Sequence, residues 1–293
     1  MGIEYIATSE DELIRGRARM GNAEIIVCTD GTCRMDGGAM FGVVPKTLWS
    51  RRMPADAENH VMLGLNCVVV KLNNKTLLIE TGFGNKLLEK TKRFYSVEER
   101  LPASLTAAGV TPESVDYVIN SHLHWDHCGW NTVMRNGEAV PFFPRAQYIA
   151  HIGEVEHGRL QLERDRVSYV PDNYEPLIHS GQMHLVQGGS EDILPGVRVE
   201  CFPGHTAHCI AVHVESGGEH ACFISDLIPT TAHLDVTWAM GFDLDPLRTI
   251  AERKRFYERA LDEHWLVLFP HDHQTPLATL ERDEKGRAKV MKL

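Results

Sequence analysis

The feature that most constrains this chain is a histidine-rich segment, Asn120–Trp130, with the sequence NSHLHWDHCGW. A strand-like run leads directly into it, so His122 and His124, two residues apart on an extended backbone, project to the same face. The chain must then turn, and Asp126 and His127 address a second point nearby. Imidazole nitrogens and carboxylate oxygens are ligands that divalent transition metals accept. Four such residues within six positions predict a metal site.

Three more ligand-type residues stand at the ends of predicted strands further along the chain. His205 follows the run VRVECF, Asp226 follows ACFIS, and His271 follows LVLFP. Functional sites are commonly assembled where strands end. Because these residues are far apart in sequence, only a shared fold can bring them to the first cluster.

Composition is that of an ordinary globular protein and argues against several functions. Of 293 residues, 43% are hydrophobic, and 30 Lys+Arg stand against 40 Asp+Glu, for a formal net charge of −10. This acidic balance argues against a nucleic-acid partner and against docking on an anionic membrane. No apolar run approaches the roughly 18 residues that would cross a membrane.

The ends of the chain and its cysteines predict a cellular compartment and a domain organisation. The seven cysteines include no C-x-x-C pair, which is typical of reduced core thiols. The N-terminal segment lacks the apolar region of a secretion signal, so we expect a cytoplasmic protein. No linker or shift of composition divides residues 1–293, so we expect one domain. Residues 1–22 would form an N-terminal arm or a frayed tail, which the sequence does not distinguish.

Apolar runs bounded by glycine, proline and polar turns predict strands in clusters. They cover residues 23–28, 66–72, 76–79, 115–120, 146–150, 182–187, 197–202, 210–214 and 221–224. Asn73–Asn74 predicts a hairpin turn. A capping box predicts a helix over Ser96–Gly109, and Asp245–Pro246 predicts the start of another, on which Arg253–Arg255 would be solvent-exposed. Helices fall too irregularly for a repeated βαβ array, which favours an α/β or α+β sandwich over a doubly wound sheet.

The complete pattern, H-x-H-x-D-H, a distant G-H, a strand-end Asp and a strand-end His, resembles the metallo-β-lactamase-fold hydrolases. The run LIETG at 78–82 is similar to an early strand of that superfamily, with Glu80 where Asp is usual. The segments MDGGAMFGVVPKTLW (35–49) and SDLIPTTAHL (225–234) resemble the quorum-quenching N-acyl homoserine lactonase-like branch. Several lactonases of this fold place a Tyr shortly after the bridging Asp, and that Tyr is absent from 227–230 here.

The resemblance implies an αββα sandwich with two divalent metal ions along one edge, zinc first, with manganese, cobalt or iron as alternatives. It implies three ligands for each ion and one bridge: His122, His124 and His205 for the first, Asp126, His127 and His271 for the second, and Asp226 for both. A bridging hydroxide would then open a lactone or ester carbonyl, most simply of the N-acyl homoserine lactone type. Asp126 would be catalytic, passing a proton to the leaving group.

Substrate contacts are predicted from position alone. The long apolar connection at 37–67 predicts either a loop that covers an apolar substrate or an ordinary packed surface loop. The candidate contacts from this segment and from the neighbours of the ligands are Met35, Met40, Phe41, Phe83, Trp125, His208, Pro229, His233, Trp238 and His273.

The same residues are compatible with two other functions. The same centre could hydrolyse organophosphate triesters or aryl esters. A non-enzymatic alternative is a ligand-sensing protein that retains the metal site without turnover. All of these functions imply a small molecule as the partner. We also expect that the chain can form a homodimer.

Overall fold

The computed structural model describes residues 4–7 and 12–291, which are built around two large β-sheets. The first sheet has eight strands, in the spatial order β1 (Glu4–Ala7), β2 (Ile14–Met20), β3 (Ala23–Asp36), β4 (His60–Leu72), β5 (Lys75–Ile79), β6 (Tyr117–Ile119), β9 (Gln147–His151) and β10 (Met183–Val186). The second has seven, in the order β11 (Ser190–Leu194), β12 (Val197–Cys201), β13 (Ile210–Ser216), β14 (Glu219–Phe223), β15 (Leu266–Leu268), β16 (Leu277–Arg282) and β17 (Ala288–Val290). A small hairpin pairs β7 (Thr132–Arg135) with β8 (Glu138–Pro141).

Helices cover the outer faces of the two sheets. They are α1 (Gly37–Phe41), α2 (Lys46–Trp49), α3 (Glu89–Tyr95), α4 (Leu101–Ala107), α5 (Trp125–Cys128), α6 (Ile152–Leu160), α7 (Glu175–His179) and α8 (Pro246–Ala260). Side chains of α4, α6 and α7 pack on one face of the first sheet, and those of α8 pack on the second sheet. The layers therefore follow the order α, β, β, α, and the predicted αββα sandwich is confirmed.

Strand periodicity explains how one chain supplies both layers of core. On β3, Ile25 and Val27 lie in the cluster between the two sheets, while Ile26 and Cys28 lie in the cluster under the helices. Successive side chains on a strand point to opposite faces, so a strand covered on both sides is apolar throughout. The continuous run AEIIVC is therefore a central strand, as its composition predicts.

The predicted hairpin turn at Asn73–Asn74 is confirmed. These two residues have φ values of 52° and 59°, the left-handed pair that a tight hairpin between β4 and β5 requires.

Within the segment 1–22, where we expected an arm or a tail, the described residues Glu4–Ala7 and Ile14–Met20 form β1 and β2 of the first sheet. Residues 60–67 of the expected covering loop lie in β4, because they pair with β3. No helix among the described residues is long and apolar enough to cross a membrane.

The helix predicted over Ser96–Gly109 is wrong in its first part. Ser96 ends α3 in a left-handed conformation, with φ 54°, and its amide donates to the carbonyls of Lys92 and Arg93. The next helix begins only at Leu101, with Pro102 in its first turn. Proline restricts the residue before it and suits a first turn, so it restarts the helix rather than kinking it.

The expectation that Arg253–Arg255 forms a solvent-exposed run is wrong at Arg253, whose side chain is completely buried. Its guanidinium donates to four main-chain carbonyls on the segment after Asp226, those of Leu227, His233, Asp235 and Trp238. Arg253 therefore fastens α8 to the chain that leaves the predicted metal site.

Candidate metal centre

All seven predicted ligands lie just beyond the carboxyl ends of strands. The cluster at 122–127 follows β6, His205 follows β12, Asp226 follows β14, and His271 follows β15. Because β14 and β15 are parallel neighbours, the turns after them open on the same side of the second sheet. The fold thus brings together residues that the sequence separates widely.

Six of the seven predicted ligands form two separate groups of three. The first ligand group is His122, His124 and His205, and the second ligand group is Asp126, His127 and His271; within each, the ligand atoms lie within 4.8 Å of one another. In the first group, His205 Nε2 lies 3.2 Å from His124 Nδ1. In the second, His271 Nε2 lies 3.2 Å from His127 Nε2. Imidazole nitrogens this close to one another could hold a shared cation.

Asp226 stands between the two groups. Its Oδ2 lies 3.3 Å from His205 Nε2 in the first group. Its Oδ1 lies 3.2 Å from His271 Nε2 and 3.7 Å from His127 Nε2 in the second. One carboxylate oxygen faces each group, which is the geometry of a bridging ligand.

A polar atom behind four of the five imidazoles fixes the orientation of the ring. These pairs are His122 Nδ1 with Ser121 Oγ at 3.0 Å, His205 Nδ1 with Asp243 Oδ1 at 3.1 Å, His271 Nδ1 with the Gly64 carbonyl at 2.9 Å, and His127 Nδ1 with Glu80 Oε1 at 3.5 Å. Such outer partners select the tautomer and hold the other nitrogen toward the metal. None of these partners except Glu80 was identified from the sequence.

Glu80 occupies the position where the resembling superfamily usually has Asp. The backbone of Glu80 has φ 62°, and Glu80 Oε1 accepts a hydrogen bond from the Ser121 amide at 3.0 Å. The same oxygen lies behind His127. The longer side chain thus joins the end of β5 to the ligand cluster.

The electrostatics of the site fit bound cations. His122 Nε2 and Asp226 Oδ1 are buried without a hydrogen-bond partner, which is costly unless a ligand satisfies them. Burial and neighbouring histidines lower the pKa of His122 and His124, so both rings stay neutral, as metal ligation requires. Burial also opposes the protonation of His127, but the surrounding carboxylates outweigh it and raise its pKa to about 10. These buried carboxylates need positive charge beside them, which divalent ions supply.

A cavity of about 550 Å³ opens onto the ligand cluster. Four of the candidate substrate contacts line it: Met35, Met40, Phe83 and Trp125. The other six do not: Phe41, His208, Pro229, His233, Trp238 and His273. Phe41 is completely buried, and its ring stacks on those of His233 at 4.5 Å and Trp49 at 5.0 Å. Phe41 therefore anchors the segment 37–53 instead of facing the cavity.

The remaining five each have another neighbour. Trp238 packs against Arg52, and His208 stacks on His151 with ring centroids 4.8 Å apart. The Pro229 carbonyl accepts from the amide of His271, and the His273 carbonyl accepts from Arg15. Nearness in sequence to a ligand therefore did not predict contact with the cavity.

Much of the cavity wall comes from segments that the sequence did not single out. They lie at 86–95, 164–173 and 240–244, and include Leu88, Tyr95, Arg164, Asp165, Val167 and Phe242. Leu88 and Val167 are 75% and 80% exposed and Phe242 is 40% exposed. These apolar residues stand in otherwise polar loops of the sequence, and this pattern could have indicated a binding surface, because exposed apolar groups often mark one.

The family follows from a comparison of the sequence with known protein families. Residues 63–291 match the metallo-beta-lactamase superfamily model. The chain belongs to the metallo-beta-lactamase superfamily. The matched range contains all seven predicted ligands and both sheets' contributions to the site.

Curated superfamily relatives include N-acyl homoserine lactonases. One from Bacillus cereus is 23% identical over 228 residues, which cover 73% of this chain and 83% of the relative. The lactonase AiiB of Rhizobium rhizogenes is 23% identical over 282 residues, which cover 87% of this chain and 95% of the relative. The chain is thus a metallo-beta-lactamase-fold hydrolase related to these lactonases.

Solved structures agree with this fold. A probable metal-dependent hydrolase from Staphylococcus aureus is 28% identical, with a TM-score of 0.85 over 94% of this chain and 99% of that one. AidC, a dizinc quorum-quenching lactonase in complex with the product N-hexanoyl-L-homoserine, is 20% identical, with a TM-score of 0.79 over 97% and 99% of the two chains.

Proposed function

We propose that this protein is a dinuclear metal-dependent lactonase that opens the ring of N-acyl homoserine lactone-type substrates. The observation that carries the proposal is the bridging position of Asp226, with one oxygen toward each of two complete ligand groups. Two neighbouring cations are what such a carboxylate can join. Imidazole and carboxylate donors suit zinc, and the name of AidC as a dizinc lactonase supports the same metal.

Divalent ions bound here would supply a Lewis acid for the carbonyl oxygen and acidify water, the chemistry that hydrolysis at neutral pH requires. The protein supplies the orientation. His122 is completely buried and Asp226 is 5% exposed, so little solvent surrounds these two side chains. A preorganised charged site stabilises negative charge that develops on a carbonyl oxygen better than water does.

The position of Asp126 supports a role in proton transfer. It lines the cavity, and its Oδ2 lies 3.7 Å from both His127 Nε2 and His271 Nε2. Its side chain is 13% exposed, so one side can face a substrate while the other faces the second ligand group. We assign it the transfer of a proton to the departing ring oxygen, which needs no serine or cysteine nucleophile.

The wall of the cavity suits an acyl chain. Its side chains are predominantly apolar, with Met35, Met40, Leu63 and Phe83 near the base and exposed apolar residues at the mouth. Burial of each methylene of an acyl chain contributes about 0.8 kcal/mol, so this wall favours longer chains.

The test is proton release by zinc-loaded protein, measured in a pH-stat with four substrate classes: N-acyl homoserine lactones, aryl esters, phosphotriesters and a β-lactam. We expect the N-acyl homoserine lactones to have the highest kcat/KM. His184→Ala serves as the control, because His184 pairs with Glu191 on the surface away from the ligands. Preference for phosphotriesters or aryl esters would replace the lactone assignment, and no turnover of any class would support a sensing protein instead.

A further inference from the structure

One wall of the cavity is a loop that follows α6, and we call residues 161–170 the cavity loop. Arg164, Asp165, Val167, Ser168 and Val170 of this loop line the cavity. Two side-chain contacts hold the loop in place. Arg164 Nη2 donates to the Gly241 carbonyl at 2.5 Å, across the cavity mouth. Asp165 Oδ2 lies 2.6 Å from Nε2 of His157 on α6.

Asp165 is unusual among the residues of this wall. It is 8% exposed and sits immediately before a short 3-10 turn, yet its side chain does not cap that turn. Among the described residues, His157 is the one side chain that forms a hydrogen bond or ion pair with it, and only through Oδ2. Within the described part of the chain Oδ1 therefore has no such partner, and Asp165 itself lines the cavity.

Several apolar side chains line the same cavity as Asp165, among them Val167, Val170, Met240, Phe242 and Leu244. A carboxylate oxygen in such a wall loses water when a substrate enters, and it must then receive a hydrogen bond from the substrate or lose free energy. A site that hydrogen-bonds one substrate group strongly rejects analogues that lack it.

The cavity loop is also connected to the first ligand group. The ring of Tyr169 contacts that of His124, with centroids 5.0 Å apart, and that of His157, with centroids 5.5 Å apart. The hydroxyl of Tyr169 donates to Glu154 at 3.1 Å, which fixes the ring between them. Asp165 therefore belongs to the His124 side of the cavity, where a substrate held at the ligands would extend.

We propose that Asp165 Oδ1 accepts a hydrogen bond from an N–H group borne next to the lactone ring, so that the enzyme selects acylamino lactones over lactones without this donor. The inference rests on the proposed lactonase function and adds a specificity-determining residue to it. His157 acts as a positioning residue, because its hydrogen bond to Oδ2 orients the carboxylate.

The test compares two lactones that differ only at this group: an N-acyl homoserine lactone and its ester analogue, in which oxygen replaces the amide N–H. Opening of the lactone ring is followed for each, and the readout is the ratio of kcat/KM for amide to ester. A hydrogen bond to a carboxylate predicts a preference of about 10- to 100-fold for the amide in the wild type.

Asp165→Asn sharpens the comparison. Its amide oxygen can still accept from His157, which leaves the NH₂ group at the cavity, so a donor replaces the acceptor that met the substrate N–H. We expect the amide-to-ester ratio to fall about 10- to 100-fold. Glu163→Gln is the matched control, since it removes one charge from an exposed residue of the same loop that does not line the cavity.

The outcomes separate this inference from the proposed function. If wild type opens both lactones with equal kcat/KM, or Asp165→Asn keeps the wild-type ratio, the role of Asp165 is refuted while the lactonase function stands. If wild type opens neither lactone, the proposed function fails and this inference fails with it. Should Asp165→Asn not fold, equal kcat/KM values of the wild type for the two lactones would still refute the role of Asp165.

Discussion

Replacing Asp30 by Asn should destabilise the protein more than any other single isosteric change at a carboxylate outside the ligand cluster. Asp30 is completely buried, at a bulge in β3. Its Oδ1 accepts from the amides of Arg100 and Leu101, at 3.0 and 2.8 Å. Its Oδ2 accepts from the amides of Phe83 and Gly84, at 3.0 and 3.3 Å.

The Trp130 indole lies 3.1 Å from both oxygens, so every surrounding group is a donor. In Asp30→Asn, one oxygen becomes NH₂, and either orientation of the amide points this donor at two main-chain N–H groups. Each buried N–H left without an acceptor costs about 1–3 kcal/mol, so the expected loss of unfolding free energy is about 4 kcal/mol.

Urea unfolding of the metal-loaded protein measures this loss. Burial raises the pKa of Asp30 to about 7 against the effect of its donors, so the comparison belongs near pH 8.5, where the carboxylate is ionised. Asp262→Asn is the control: Asp262 pairs with Arg282 at the surface and should change stability by less than about 0.5 kcal/mol. A loss below about 1 kcal/mol for Asp30→Asn would refute the assigned hydrogen bonds.

Three further predictions concern other parts of the molecule. Although burial raises the pKa of Glu200, hydrogen bonds from His213 and from arginines hold this pKa below its usual range. The ionised carboxylate therefore stabilises the folded protein at neutral pH, and this stabilisation is lost as pH falls below about 4. In urea titrations, the difference in unfolding free energy between wild type and Glu200→Gln should shrink as pH falls below about 4. Arg253→Met should lower the unfolding free energy by about 3–5 kcal/mol, since it leaves two buried and two partly buried carbonyls without their donor, and an unchanged melting midpoint would contradict this. Phe242→Ser should reduce kcat/KM about tenfold for long acyl chains and little for short ones; an equal reduction would exclude Phe242 from the acyl contact.

The parts of the fold that local sequence determines were predictable. Apolar periodicity identified the central strands, and Asn73–Asn74 identified their hairpin, because both depend on neighbouring residues alone. The ligand-type cluster at 122–127 was conspicuous for the same reason. The layer order and the grouping of distant ligands followed from the family resemblance, since no local rule joins His127 to His271.

The predictions that were wrong concern residues whose positions depend on tertiary contacts. Ser96 and Glu99 have the spacing of a capping box, but Ser96 ends α3, and the next helix begins at Leu101 with Pro102 in its first turn. Arg253 lies in a basic run typical of exposed helix surfaces, and only the fold shows the carbonyls that it meets. Likewise, the cavity wall at Val167 and Phe242 is formed by loops whose approach to the ligands no sequence spacing encodes.

If two cations share this one cluster, the metal content of the protein will show it. Zinc bound per chain should be measured by mass spectrometry after equilibrium dialysis, for wild type, His124→Ala and the surface control His184→Ala. The seven-residue site predicts two ions per chain in wild type and in the control, and no more than one in His124→Ala, which loses a member of the first ligand group. Fewer than one ion per chain in wild type, or an unchanged content in His124→Ala, would rule out a two-ion site built on these residues.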